Sequence, residues 1–126
     1  MTPPTMPGWN LALRFVMELV ALVSIGVGAW SATDGAARWL AAVGLPLLAV
    51  VLWGTFNVPD DPSRSGKAPV AAPGWVRLLI ELAIFAAGAV GLAVAGWPWL
   101  SAGYGLVVVL LYATSMPRVR WLLTQG

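Results

Sequence analysis

Four apolar stretches, roughly 9–30, 39–56, 75–96 and 99–116, are marked at one end or both by tryptophan and make up most of the 126-residue chain. At a helical rise of about 1.5 Å per residue the first and third reach roughly 31 to 33 Å, close to the thickness of a bilayer's hydrocarbon core. Such runs are too long for a soluble core of this size. The second and fourth stretches lie near the lower length limit for a span. The simplest architecture is therefore all-α, a single domain over 1–126 built as an integral membrane four-helix bundle.

Charges inside such spans need a reason. Only 10% of the residues are charged, and the mean hydropathy is +0.84. Yet an R-x-x-x-E-L string occurs in the first span, Arg14 to Leu19, and again in the third, Arg77 to Leu82. Each charged side chain in lipid costs roughly 2.5 to 3.5 kcal/mol on insertion scales. The i, i+4 spacing puts both members of a string on one helix face, but arginine before glutamate is the less favourable order for pairing within a helix. Cross-helix pairing, Arg14 with Glu81 and Arg77 with Glu18, has equal standing. Arg14, Glu18, Arg77 and Glu81 are thus a candidate polar network with two readings. One is a buried acidic site, neutralised by arginine, that binds a proton, a cation or a polar substrate group. The other is a charge network that fixes helix register.

Setting Arg14 on Arg77 also aligns Glu18 with Glu81, Leu19 with Leu82 and Gly28 with Gly91, while Trp39-Leu40 falls near Trp99-Leu100. This suggests two repeated helical hairpins, related by a pseudo-two-fold axis along the membrane normal. Ser31 to Arg38 reads as a short turn in which Thr33 or Asp34 caps the second helix. Residues 57–74 hold four prolines, two glycines, two aspartates, Arg64 and Lys67, the composition of a solvated loop. Met1 to Gly8 reads as a disordered lead-in, and Pro117 with Arg118 and Arg120 ends the last span. Six of the seven basic residues, all but Arg38, fall at the end of the spans shared by both termini and the central loop. That bias places the termini and the loop 57–74 in the cytoplasm.

Other residues admit a plain and a sharper use. Pro46 should kink the second span. Trp53 and Asn57 either line a vestibule beside the charge network or serve as a membrane-belt residue and a helix C-cap. Ala83, Ala87, Gly91 and Ala95 form a small-residue stripe on the third span, and Ser24 and Gly28 offer a counterpart on the first, for close packing or for dimerisation. The chain has no cysteine and no histidine, so disulfides, thiol nucleophiles, imidazole bases and nearly all zinc or haem ligation fall away. No Walker loop, dinucleotide fingerprint or serine elbow is present. No enzymatic activity, metal or cofactor is expected, and seven basic residues spread over the chain make no nucleic-acid stripe.

The strings Asn10-Leu-Ala-Leu-Arg14-Phe15-Val-Met-Glu18-Leu19, Leu45-Pro46, Trp53-Gly54-Thr55-Phe56 through Pro59, and Glu81-Leu82-Ala83-Ile84-Phe85 resemble the YrdB family of small bacterial membrane proteins. The resemblance covers nearly all of the hydrophobic part and implies four spans and a bacterial inner-membrane location. It carries over no activity, since the family is one of unknown function. The small multidrug transporters are a looser comparison, from which an arginine one turn from each glutamate separates this chain. Two roles follow as expectations. The first is a small transporter, channel or binding component with a buried Arg/Glu site. The second is a non-transporting accessory or scaffold subunit. The expected partners are the lipid bilayer and either further copies of the chain or a larger membrane complex.

Overall fold

In the computed structural model, which describes residues 2–126, the apolar stretches are helices: α1 (Gly8–Ala32), α2 (Gly35–Thr55), α3 (Gly74–Val94) and α4 (Pro98–Ala113). A fifth, α5 (Met116–Thr124), follows at the C-terminus. Among the described residues three helices, α1 to α3, are long and apolar enough to cross a membrane; α4 and α5 qualify only together, as a pair bent by 66°. The continuous fourth span expected over 99–116 is thus broken. Its 16 residues of α4 rise only about 24 Å. The break has a local cause. The hydroxyls of Thr114 and Ser115 donate back to the carbonyls of Leu110 (2.9 Å) and Leu111 (2.6 Å). Such bonds compete with the helix ladder, and Pro117 can open a new helix but not continue an old one.

The centre of the molecule is α1 against α3. Gly28 meets Gly91, and Arg14 on the same helix meets Glu81, so the two helices run parallel. Small residues permit the approach: a side chain on Gly91 would strike the carbonyl of Ser24, and one on Gly88 would meet Tyr104 and the backbone of Ala21. The buried stripe on α3 is therefore Ile84, Gly88 and Gly91, whereas Ala83 and Ala87 face outward. The expected i, i+4 alanine stripe is corrected to this neighbouring face. α2 packs mainly on α1, touches α3 at its end, and buries only Ala49 and Trp53. α4 packs mainly on α3, tied by Tyr104 to the carbonyl of Phe85 (2.8 Å) and by Ser101 to that of Ala89 (2.7 Å), and also reaches α1.

α2 is one uninterrupted helix through Pro46. The carbonyl that proline leaves without a donor is that of Ala42. It lies against α1 at Gly26, where an added side chain would sit 3.0 Å from the oxygen. Neither Thr33 nor Asp34 caps α2 through its side chain. The Thr33 hydroxyl donates back to Ala29 at 2.6 Å, and Asp34 pairs with Arg38 at 3.7 Å.

The central connection is not a solvated loop throughout. β1 (Phe56–Asn57) and β2 (Val70–Ala71) pair in parallel, and Val58 and Asp61 are buried. A turn closed by Asp61 N–H to Val58 (3.2 Å) and Arg64 N–H to Asp61 (3.1 Å) aims the Asp61 side chain inward. α5 lies on this end of the helices, with Arg118, Trp121 and Leu122 on its inner face. Gly74 admits it, because any side chain there would collide with the Leu122 carbonyl, and Asn10 bonds Thr114 (3.1 Å) and Ser115 (3.0 Å) to hold the bend against α1. Of the lead-in, residues 2–7 have no regular structure, but Met6 is buried; Met1 lies outside the described residues.

Candidate functional site

Both ends of the chain and the central connection thus converge over the start of α1 and α3, and the charged side chains collect beneath them. Glu81 is the hub. It is fully buried and accepts five hydrogen bonds: Arg77 Nε at 2.7 Å, Arg118 Nη2 at 2.6 Å and Nη1 at 3.0 Å, Arg14 Nη1 at 3.2 Å, and the Tyr112 hydroxyl at 2.8 Å. A carboxylate offers about four lone-pair directions, so none is left for a further donor. Arg118 joins this hub to the loop. Its Nε and Nη2 edge grips Asp61 side-on, at 2.8 and 2.6 Å, while the Asp61 carboxylate also accepts from the backbone and hydroxyl of Ser63. Burial pushes the Asp61 carboxyl upward, but the hydrogen bonds and charge of Arg118 outweigh it and hold the group below its usual 3.8.

Both anticipated pairings occur, each once. Arg77 bonds Glu81 one turn along α3, the intrahelical arrangement, and Arg14 reaches Glu81 from α1, the cross-helix arrangement. Arg77 and Glu18 do not pair. Arg77 instead turns its Nη1 to the carbonyls of Trp53 (2.9 Å) and Phe56 (3.0 Å) at the end of α2, where the helix has run out of donors. Glu18 faces the gap between α1 and α2, and its partner is Arg64, which reaches up from the connection at 2.8 Å. The Arg64 guanidinium also sits 5.8 Å from the Trp53 ring. These side chains, with Phe15, Leu19, Leu22, Val50 and Gly54, line a cleft of about 210 Å³.

Trp53 is buried rather than placed in a membrane belt, and it contributes an edge to Phe85 as well as a wall of the cleft. Asn57 is buried too and donates to the Gly54 carbonyl at 3.0 Å, which is the capping use. Three cations, Arg14, Arg77 and Arg118, face two carboxylates, Glu81 and Asp61, so this buried cluster carries one positive charge in excess. Several of its donors have no partner among the described residues: Arg14 Nε and Nη2, Arg77 Nη2 and the Trp53 indole N–H.

Asp61, Arg64, Tyr112 and Arg118 escaped the sequence reading. Asp61 and Arg64 looked like loop composition, and Arg118 like a topology marker. One signal for Arg118 was legible: it precedes Trp121 and Leu122 by three and four residues, so a helix there sets the arginine on the apolar face. Nothing comparable marks Asp61, whose burial follows from the turn.

The chain matches the family described as "Protein of unknown function (DUF2568)" over residues 12–109. That segment contains Arg14, Glu18, Asp61, Arg64, Arg77 and Glu81 and stops before Tyr112 and Arg118. The chain is also 40% identical over 116 residues to the "Uncharacterized protein YrdB" of Bacillus subtilis (strain 168), covering 92% of this chain and 94% of that one. No solved structure matches. The chain belongs to this family of YrdB-like proteins of unknown function.

Proposed function

We propose that this YrdB-like protein is a four-span protein of the bacterial inner membrane, with both termini and the central connection in the cytoplasm, that serves as a binding or transport component for a polar solute. On this reading the bent α4–α5 pair makes the fourth crossing together with the surface that caps it. The two hairpins α1–α2 and α3–α4 are related copies. Topology rests on the basic bias of the ends.

One observation carries the reading. The buried Nε–Nη2 edge of Arg14 and the Nη2 of Arg77 have no partner among the described residues, in a helix array where unpaired charge is costly. A purely structural network closes on itself, as Glu81 and Asp61 do. The solute site is then the cationic side of the cluster, Arg14, Arg77 and Trp53, with Glu18 and Arg64 at the cleft that shares Trp53 with it. Glu81 serves as an anchor and does not receive solute, since its oxygens are fully engaged.

The second reading, a non-transporting accessory or scaffold subunit, draws on that same saturation of Glu81 and on the nearly unburied α2, which leaves Leu40, Val43, Leu47 and Val51 exposed. Reconstitution of the purified chain in liposomes separates the two. Solute flux that is altered by Glu18→Gln and lost in Arg14→Gln supports the first. Absence of flux together with recovery of one fixed partner from native membranes sinks it in favour of the second.

A further inference from the structure

Two arginines of the cluster present the same edge in opposite conditions. Arg118 uses its parallel Nε and Nη2 donors to hold the Asp61 carboxylate side-on. Arg14, only 3% exposed, engages Glu81 through Nη1 alone and keeps its Nε and Nη2 unpaired. That edge is the part of a guanidinium shaped for a planar oxyanion. Arg14 also rests on the Tyr112 ring, with 5.1 Å from its Cζ to the ring centroid, which restrains the plane of the fork. Nearby, Arg77 is bonded to Trp53 through the Trp53 carbonyl and has one further free donor, as has the Trp53 indole. Four unpaired donors, on residues linked to one another through Glu81 and Trp53, stand in a cluster with one positive charge in excess.

We infer that the cluster binds a small planar anion of single charge, a monocarboxylate in chemical class, on the free edge of Arg14, and that Glu18 is its built-in competitor. This rests on the binding role proposed above and narrows it to a ligand. A single negative charge cancels the excess, whereas a doubly charged phosphate overshoots it. Glu18 lies one turn beyond Arg14 on α1, at the wall of the cleft that also includes Trp53. Its own carboxylate is held away from Arg14 by Arg64. When the Arg64 side chain leaves Glu18, the Glu18 carboxylate is free to turn toward Arg14, so an entering carboxylate competes with Glu18 for that fork. Neutralising Glu18 removes the competitor and leaves the fork intact.

The test is a thermal-stability titration of the full chain in lipid nanodiscs with sodium acetate and, separately, sodium chloride, at an ionic strength held by a bulky sulfonate buffer. A ligand that binds only the folded protein raises Tm saturably. Acetate is expected to do so in the natural chain, with chloride weaker because a sphere uses one donor of the fork. Glu18→Gln is expected to lower the half-saturating acetate concentration by about tenfold, the scale of one modest coupling between two ligands of a shared site. Arg14→Gln is expected to abolish the response. If Arg14→Gln fails to fold, the Glu18→Gln shift still decides. An acetate response absent from both the natural chain and Glu18→Gln, unchanged in Glu18→Gln, or matched by chloride overturns the assignment. A saturable response to a cation or neutral polar solute without acetate overturns the anion site and leaves the broader binding role standing; no response to any solute removes both.

Discussion

The two R-x-x-x-E strings are the same in spacing and meet opposite fates. On α3, Glu81 is sealed under three arginines and a tyrosine; on α1, Glu18 stands at a cleft wall with a single partner borrowed from the connection. Local sequence does not distinguish them. What differs is what lies over each helix. α5 and the Asp61 turn close on the start of α3, helped by Gly74, and bring Arg118 to Glu81. α1 receives no such cover at Glu18 and faces α2, whose end offers only Trp53, Gly54 and carbonyls already taken by Arg77. A repeated motif thus yields one saturated carboxylate and one held by a single arginine.

The sharpest way to break this comparison is to neutralise each glutamate in turn. Glu81→Gln leaves three buried guanidinium groups facing a neutral amide and should cost on the order of 3 to 5 kcal/mol. It should appear as loss of folded protein in detergent. Glu18→Gln removes one partly exposed pair and should cost about 1 kcal/mol or less, leaving the yield unchanged. Equal losses for the two variants would contradict the asymmetry.

Next in size is the cover itself. Arg118→Met strands Asp61 and should cost about 3 kcal/mol, releasing α5 to proteases that cut after Arg120, while Arg64→Met should leave the C-terminus protected. Limited proteolysis followed by mass measurement distinguishes them. A protected C-terminus in Arg118→Met would mean that Trp121 and Leu122 dock α5 without the charge.

A smaller effect probes the α1–α3 contact that places the two strings at matching depth. Gly28→Ala drives a methyl group into Gly91 and should cost about 1 to 3 kcal/mol. Gly44→Ala, on α2 with nothing near the added carbon, should be neutral or slightly stabilising. Thermal denaturation of both in one detergent compares them, and equal melting points would argue against the close glycine contact.

The smallest is pH. The Asp61 carboxyl is held below its usual 3.8, so its stabilising contribution is fully present above that value and is lost as pH falls through the lower, folded-state value. α5 should therefore loosen only below about pH 3.8, read as Trp121 fluorescence in a chain whose other tryptophans are replaced. Loosening already near neutral pH would show that the Arg118–Asp61 grip is not what holds the helix.

How much of this was readable in the chain follows from the range of the interactions involved. Apolar length is a local property, so α1 to α3 were legible, and so were Arg14, Arg77 and Glu81, because lipid makes each charge conspicuous; Glu18, read into the same network, stands apart with Arg64. Gly28 and Gly91 stood out as small residues suited to close packing, but their contact with each other was not legible. Nor was the break at Thr114-Ser115, since hydroxyls that bond one turn back also occur in unbroken helices. The Arg77–Glu18 pairing failed because the carbonyls at the end of α2, which no sequence pattern displays, took Arg77 first. Asp61 could not be found at all: a turn between prolines gives no sign of which side chain it turns inward.

The most direct measurement uses the fact that Glu18 and Glu81 are the chain's two glutamates. In lipid-reconstituted protein carrying ¹³C-labelled glutamate and ¹⁵N-labelled arginine, solid-state dipolar recoupling reports which guanidinium nitrogens lie near each carboxyl carbon, and Glu18→Gln assigns the two signals. One carboxyl should show contacts to three arginines and survive the substitution, while the other shows a single contact and disappears. Two carboxyls with equivalent arginine contacts, or a Glu81 carbon coupled to Arg77 alone, would contradict the account.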